Sequence, residues 1–199
     1  MRTRPTSRPK GPRSSNKSIS RIVAKRLPPL EGRDIQVRFR PALSVKGGRL
    51  YSDHESGQPV HAATHVRSRE IILEQELREQ PKELARILTH ELFHFVWVRL
   101  SNKLRKSYEA VVLKEWQHHA RGELGWSAES RKRQLSFHHL PPTTHHPSFR
   151  TYLCESFCDT AAWLYSGVTR HEEFTLAARH RKRRAEWFRE AFRDRGIPI

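Results

Sequence analysis

Two imidazoles four residues apart, with a carboxylate beside the first, stand in His90-Glu91-Leu92-Phe93-His94. Residues at that spacing in a helix lie on nearly the same side, separated by about 6 Å along the axis. Both rings can therefore reach one metal ion, with Glu91 beside them as a general base. This is the H-E-x-x-H arrangement of zinc hydrolases. The chemistry needs a helix under it, and the sequence supplies one. Pro81 is suited to the first helical position, Lys82 to Leu100 contains no Gly or Pro, and Leu84, Ile87, Leu88, Leu92, Val96 and Leu100 keep a helical register.

A catalytic zinc takes three protein ligands and keeps one position for water. The metzincin pattern would place its Gly and third His where this chain has Trp97 and Leu100, which excludes it. A better third ligand lies in Tyr152-Leu-Cys-Glu155-Ser-Phe-Cys-Asp159, where Glu155 and Asp159 are again four apart on an expected helix. Glu155 completes a His-His-Glu set. Asp159, one turn on, is placed to accept the outward N–H of a ligand imidazole, expected to be that of His90, and so to fix its tautomer and raise its basicity. Both acids sit among Leu153, Phe157, Ala161, Ala162 and Trp163, poor company for solvated carboxylates. Cys154 and Cys158, also four apart, read as reduced and buried thiols, because a disulfide between them would be strained.

His90-Glu91-x-x-His94 followed by Glu155-x-x-x-Asp159 resembles the gluzincin metallopeptidases. The resemblance covers two helices, less than half of the chain. It implies a minimal zincin-like domain that hydrolyses peptide bonds. Zinc would be held by His90, His94 and Glu155, with Asp159 behind them and Glu91 taking the proton of the attacking water. Such enzymes also use a His or Tyr to steady the oxyanion, for which Tyr152, Tyr165 and His171 are the nearest candidates. The resemblance further implies that the strand before the motif helix forms the sheet edge on which an extended peptide lies. A Spartan-type DNA-linked protease is an alternative, with His118 or His119 as third ligand in place of Glu155. A basic nucleic-acid-binding protein with an inactive zinc site is another.

The elements that must position this set follow from periodicity. Residues 1 to 26 hold nine Lys or Arg and no acid, and read as a disordered basic tail ahead of one domain spanning 27 to 199. Ile35, Val37 and Phe39 alternate with polar residues as in a half-buried strand. Gly47-Gly48 marks a turn, and a second strand is expected over 65–73. Helices are expected over 107–122, from about Ser127, over 148–165, and over 169–194. Thr169-x-x-Glu172 would cap the last of these, and Gly167 would separate it from its predecessor. The fold class is α+β, with a small sheet in the amino-terminal half and a helical carboxyl-terminal half.

The net charge is +17, of which the tail carries nine, leaving +8 in the remainder. Nonspecific nucleic-acid contact through the tail is therefore an expected partner interaction beside a peptide or protein substrate. Arg179 to Arg184 form a second basic run whose charges read as the solvated back of a helix, with Phe174, Trp187, Phe188 and Phe192 as its core face. The His pairs 118/119, 138/139 and 145/146 read as surface residues. No apolar run approaches the length of a membrane span, and the amino terminus lacks a secretory core, so a cytoplasmic location is expected.

Overall fold

The structure, a computed structural model, describes residues 27–47, 49–52, 57–137, 146–193 and 196–199. The fold is α+β, sheet-rich in its first half and helical in its second. The tail to residue 26, Gly48 and the 138/139 pair with its neighbours to 145 lie outside the described residues.

The central sheet has three strands among the described residues. β2 (Gln36–Arg40) runs parallel to β7 (Glu70–Glu74), which pairs antiparallel with β6 (Ala62–His65). Val37 and Phe39 are half-buried while their neighbours are exposed, as the alternation predicts, and Ile35 is fully buried just before the strand. The single strand expected over 65–73 is instead the turn and second arm of a hairpin. Arg69 adopts a left-handed φ of 55°, and its guanidinium donates to the backbone carbonyls of Arg33 and Asp34, pinning the turn against the start of β2. A smaller sheet of β3 (Ser44–Lys46), β4 (Arg49–Tyr51) and β5 (Gln58–Pro59) fills the connection between β2 and β6. β1 (Leu30–Glu31) pairs in parallel with β8 (Ile197–Pro198), tying the two ends of the domain together.

Among the described residues five helices follow, preceded by a 3-10 turn at Gln75–Glu79. α1 (Pro81–Arg99) has Pro81 in its first turn and buries Leu84, Leu88, Leu92, Phe95 and Val96 in helical register. Each such side chain contributes about 1.5–3 kcal/mol by leaving water. α2 (Asn102–Gln117) starts five residues earlier than the pattern suggests, because the Ser101 hydroxyl accepts the Leu104 amide as an N-cap. α3 (Trp126–Phe137) and α4 (Pro147–Tyr165) lie where they are expected, and α1 and α4 pack on each other as the central pair. Gly167, at a φ of +81°, turns the chain just after α4.

α5 (Ala178–Ala191) begins nine residues later than expected, and Thr169-x-x-Glu172 caps nothing. The intervening residues are held elsewhere. The amides of Thr175 and Leu176 donate to the carbonyl of Glu123, and the Glu173 carboxylate accepts from Arg86 and from the Trp126 amide. Phe188 and Phe192 are buried on the core face, with Trp187 packed beside them. The basic run departs from the expectation at Arg184, which is fully buried and bridges Glu115 and Glu123. Among the described residues no helix is long and apolar enough to cross a membrane.

Candidate metal centre

α1 and α4 lie side by side with their chemical residues facing each other. Glu155 Oε2 is 3.3 Å from His90 Nε2 and 3.9 Å from His94 Nε2, so one carboxylate oxygen lies near both rings. The two imidazole rings stand edge to face with centroids 5.0 Å apart. His90, His94 and Cys158 also offer donor atoms that all lie within 4.8 Å of one another, and this group could hold a metal ion. His118 and His119 are exposed at the end of α2 and outside the group. The Nδ1–H of His118 is spent on the Lys114 carbonyl.

Asp159 is the hinge of the arrangement. Its Oδ1 accepts from His90 Nδ1 at 2.7 Å, and its Oδ2 accepts from the Ala128 amide at 2.9 Å. The Ala128 amide is one of the unpaired donors at the start of α3, so a side chain from α4 caps α3. The loop is fitted to that carboxylate. A Cβ on Gly125 would lie 2.2 Å from Asp159 Cγ, which leaves room for hydrogen alone. The same loop is anchored through buried Glu123, which accepts from Tyr152, Lys132 and Arg184. Burial opposes the charge on Glu123, but Arg184 and Lys132 hold its pKa below the usual carboxylate range.

Glu91 points to the sheet edge. The Thr64 hydroxyl on β6 donates to Glu91 Oε2 at 2.6 Å and lies 3.1 Å from the Glu91 carbonyl. β6 borders the motif helix as the outer strand of its sheet, whereas β7, the strand nearest before the helix in sequence, is central. The edge expected of the strand before the helix therefore belongs to β6.

The electrostatics favour an anionic third donor on the Nε2 side. Burial raises the cost of ionising Glu155, but His90 and His94, with Arg131 on α3, pull its pKa down to about 2. Burial likewise disfavours protonated His90, yet Asp159 and Glu155 raise its pKa well above the ordinary value. For His94, burial is outweighed by Cys154 and Glu91, which lift its pKa to about 9. Cys158 is buried, which together with Cys154 pushes its thiol pKa up. Both cysteines are free, Cys154 half-buried and Cys158 buried.

The three oxyanion candidates are committed elsewhere. Tyr152 donates to Glu123 from a fully buried position, Tyr165 stacks on Phe93 in the core, and His171 Nε2 is paired with Glu83 at 2.8 Å. Thr64 and Gly125 carried no signal in the sequence. A threonine in a strand and a glycine in a loop are ordinary, and only the packing of β6 and α4 gives them a role. Comparisons with protein-family models, curated proteins and solved structures found no match.

Proposed function

We propose that this chain is a zinc-dependent metallopeptidase of the gluzincin kind, with His90, His94 and Glu155 as metal ligands. The observation that carries the reading is the convergence of one Glu155 oxygen on both Nε2 atoms. Zn–N distances of about 2.0–2.1 Å and Zn–O of about 2.0–2.2 Å imply a tetrahedral edge of roughly 3.4 Å between donors. The His90 to Glu155 separation of 3.3 Å fits that edge, and the His94 separation of 3.9 Å needs a closure of about half an ångström.

Cys158 is the competing third donor, and Glu155 is favoured over it on two grounds. The sulfur of Cys158 faces Nδ1 of His94 at 3.6 Å, the nitrogen turned away from the convergence point. Glu155, held at a pKa of about 2 by the two imidazoles, also binds a cation without first losing a proton, whereas a thiol must release one. Asp159 supports the assignment too, because a ligand His usually donates its other N–H to a carboxylate.

Zinc bound there would supply Lewis-acid polarisation of a scissile carbonyl and a water acidified toward a pKa of about 7. The chain's own residues do the rest. Glu91 accepts the proton of the attacking water and returns it to the leaving amine. Thr64 holds the Glu91 carboxylate at the border of β6, so a peptide lying along that strand would meet the base and the ligands together. Asp159 keeps Nε2 of His90 free for the metal by occupying Nδ1.

The test is a comparison of purified wild type with Glu91→Gln on a peptide library. Wild type should cleave and contain about one zinc per chain, while the variant keeps its zinc and loses at least about 100-fold in turnover. Equal cleavage by both, or wild type folded and free of metal, would refute the proposal.

A further inference from the structure

The outward nitrogens of the two histidines meet different chemistry. Nδ1 of His90 meets a hard carboxylate, but Nδ1 of His94 meets two soft sulfurs, Cys154 Sγ at 3.5 Å and Cys158 Sγ at 3.6 Å. The cysteines are four apart on α4, so their sulfurs share one helix face and both turn to the same ring nitrogen. A single Nδ1–H needs one acceptor, yet two sulfurs lie at nearly equal range.

We propose that His94 Nδ1, Cys154 Sγ and Cys158 Sγ form a second metal site, for a thiophilic d10 cation such as Cu(I) or Cd(II), sharing the His94 ring with the first. For an ion of zinc's size, bonds of about 2.3 Å to sulfur and about 2.0 Å to nitrogen give a tetrahedral N-to-S edge of roughly 3.5 Å, which the two separations match, and the longer bonds of Cd(II) open that edge by a few tenths of an ångström. Thiolate donors select soft cations, so this set and the His-His-Glu set differ in the metals they prefer. Cys154 is half-buried and provides the route of entry, while Cys158 closes the site from the core side. Occupancy releases three protons to solvent, one from each thiol and one from Nδ1, and leaves the His94 imidazolate bridging the two ions when both sites are filled. The inference rests on His94 turning Nε2 toward Glu155 and not on peptidase activity.

The experiment is a titration of the reduced, zinc-loaded full chain with Cd(II) in oxygen-free buffer without thiols. Thiolate-to-cadmium absorption, loss of thiols reactive toward a disulfide reagent, and the content of both metals are followed. One cadmium per chain should bind with two thiols protected and zinc retained. Cys154→Ser and Cys158→Ser should each weaken the cadmium signal by more than the roughly 100-fold typical of losing an outer-shell partner, with zinc content unchanged. Glu155→Ala should keep the cadmium signal even where zinc is lost, which separates this proposal from the catalytic one. Cadmium-113 resonance of the wild type reads sulfur ligation directly should Cys158→Ser fail to fold. Cadmium that replaces zinc one for one without a thiolate band, or a band indifferent to Cys154→Ser, would overturn the second site.

Discussion

Gly125→Ala tests the metal centre from a position that touches no metal ligand. The added methyl carbon would sit 2.2 Å from Asp159 Cγ and 2.3 Å and 2.5 Å from its two oxygens. Ordinary contact needs about 3.4 Å or more, so the loop and the carboxylate must part by roughly an ångström. Asp159 has no slack to give. Its Oδ1 is already 2.7 Å from His90 Nδ1, and a retreat of that size takes the pair past the roughly 3.2 Å limit of a hydrogen bond. Two costs follow. Overpacking costs about 1–3 kcal/mol, and loss of the cap on Ala128 adds about 1 kcal/mol. Loss of the carboxylate behind a ligand His lowers metal affinity about 10- to 100-fold. Zinc affinity measured against a competing chelator, with thermal melting alongside, gives both numbers. Asp159→Ala should weaken zinc to a similar degree, and the double variant should be little worse than either, because the two changes remove one contact. Wild-type affinity and melting temperature in Gly125→Ala would refute the claim that this loop sets the His90 to Asp159 pair.

Other outcomes follow from neighbouring features. Thr64→Val removes the donor to Glu91 Oε2 and should lower turnover by about tenfold at unchanged zinc content, as for a base that is less well held. Steady-state kinetics with metal analysis check it, and unaltered turnover would show that the hydroxyl has no part. Arg184→Met leaves Glu115 and Glu123 buried without their cation and should cost about 3–5 kcal/mol in chemical denaturation. For the metal-free chain the sign of the pH dependence is set by the raised histidines. Their contribution is complete below the ordinary value of 6.5 and fades as pH climbs, for His94 through about 9. That of Glu155 is present above 4.5 and lost as pH falls through about 2. The Cys154 thiol, lowered to about 6 by Cys158 and His94, works the other way over the same window and offsets His94, so the net decline rests on His90: melting in the presence of a chelator should decline above pH 6.5, and a rising curve would contradict the pairing of His90 with Asp159.

The sequence was most legible where one local period governed the outcome. α1 follows from its apolar repeat and Pro81, and the four-residue spacings within α1 and α4 dictate that His90 with His94, and Glu155 with Asp159, share a side. The expected meeting of Asp159 with His90 follows from packing those two helices face to face. Local signals failed where distant residues decide. The capping box at Thr169 is sound in isolation, but the amides that follow serve the Glu123 carbonyl and the site loop. The 65–73 stretch carries strand-forming residues on both sides of Arg69, and only the carbonyls of Arg33 and Asp34 reveal that the chain reverses there. Arg184 looks like its solvated neighbours until Glu115 and Glu123 are seen around it. Thr64 and Gly125 gain their roles from elements more than twenty residues away in the chain, beyond the reach of any local pattern.

The central claim is that a metal ion sits between His90, His94 and Glu155. Anomalous diffraction at the zinc absorption edge, from crystals grown with one equivalent of zinc, tests it most directly. The account predicts one peak about 2.0–2.2 Å from both Nε2 atoms and from a Glu155 oxygen, with Asp159 still on Nδ1 of His90. A zinc peak lying instead between His94 Nδ1 and the two cysteine sulfurs, with the Nε2 side empty, would contradict it.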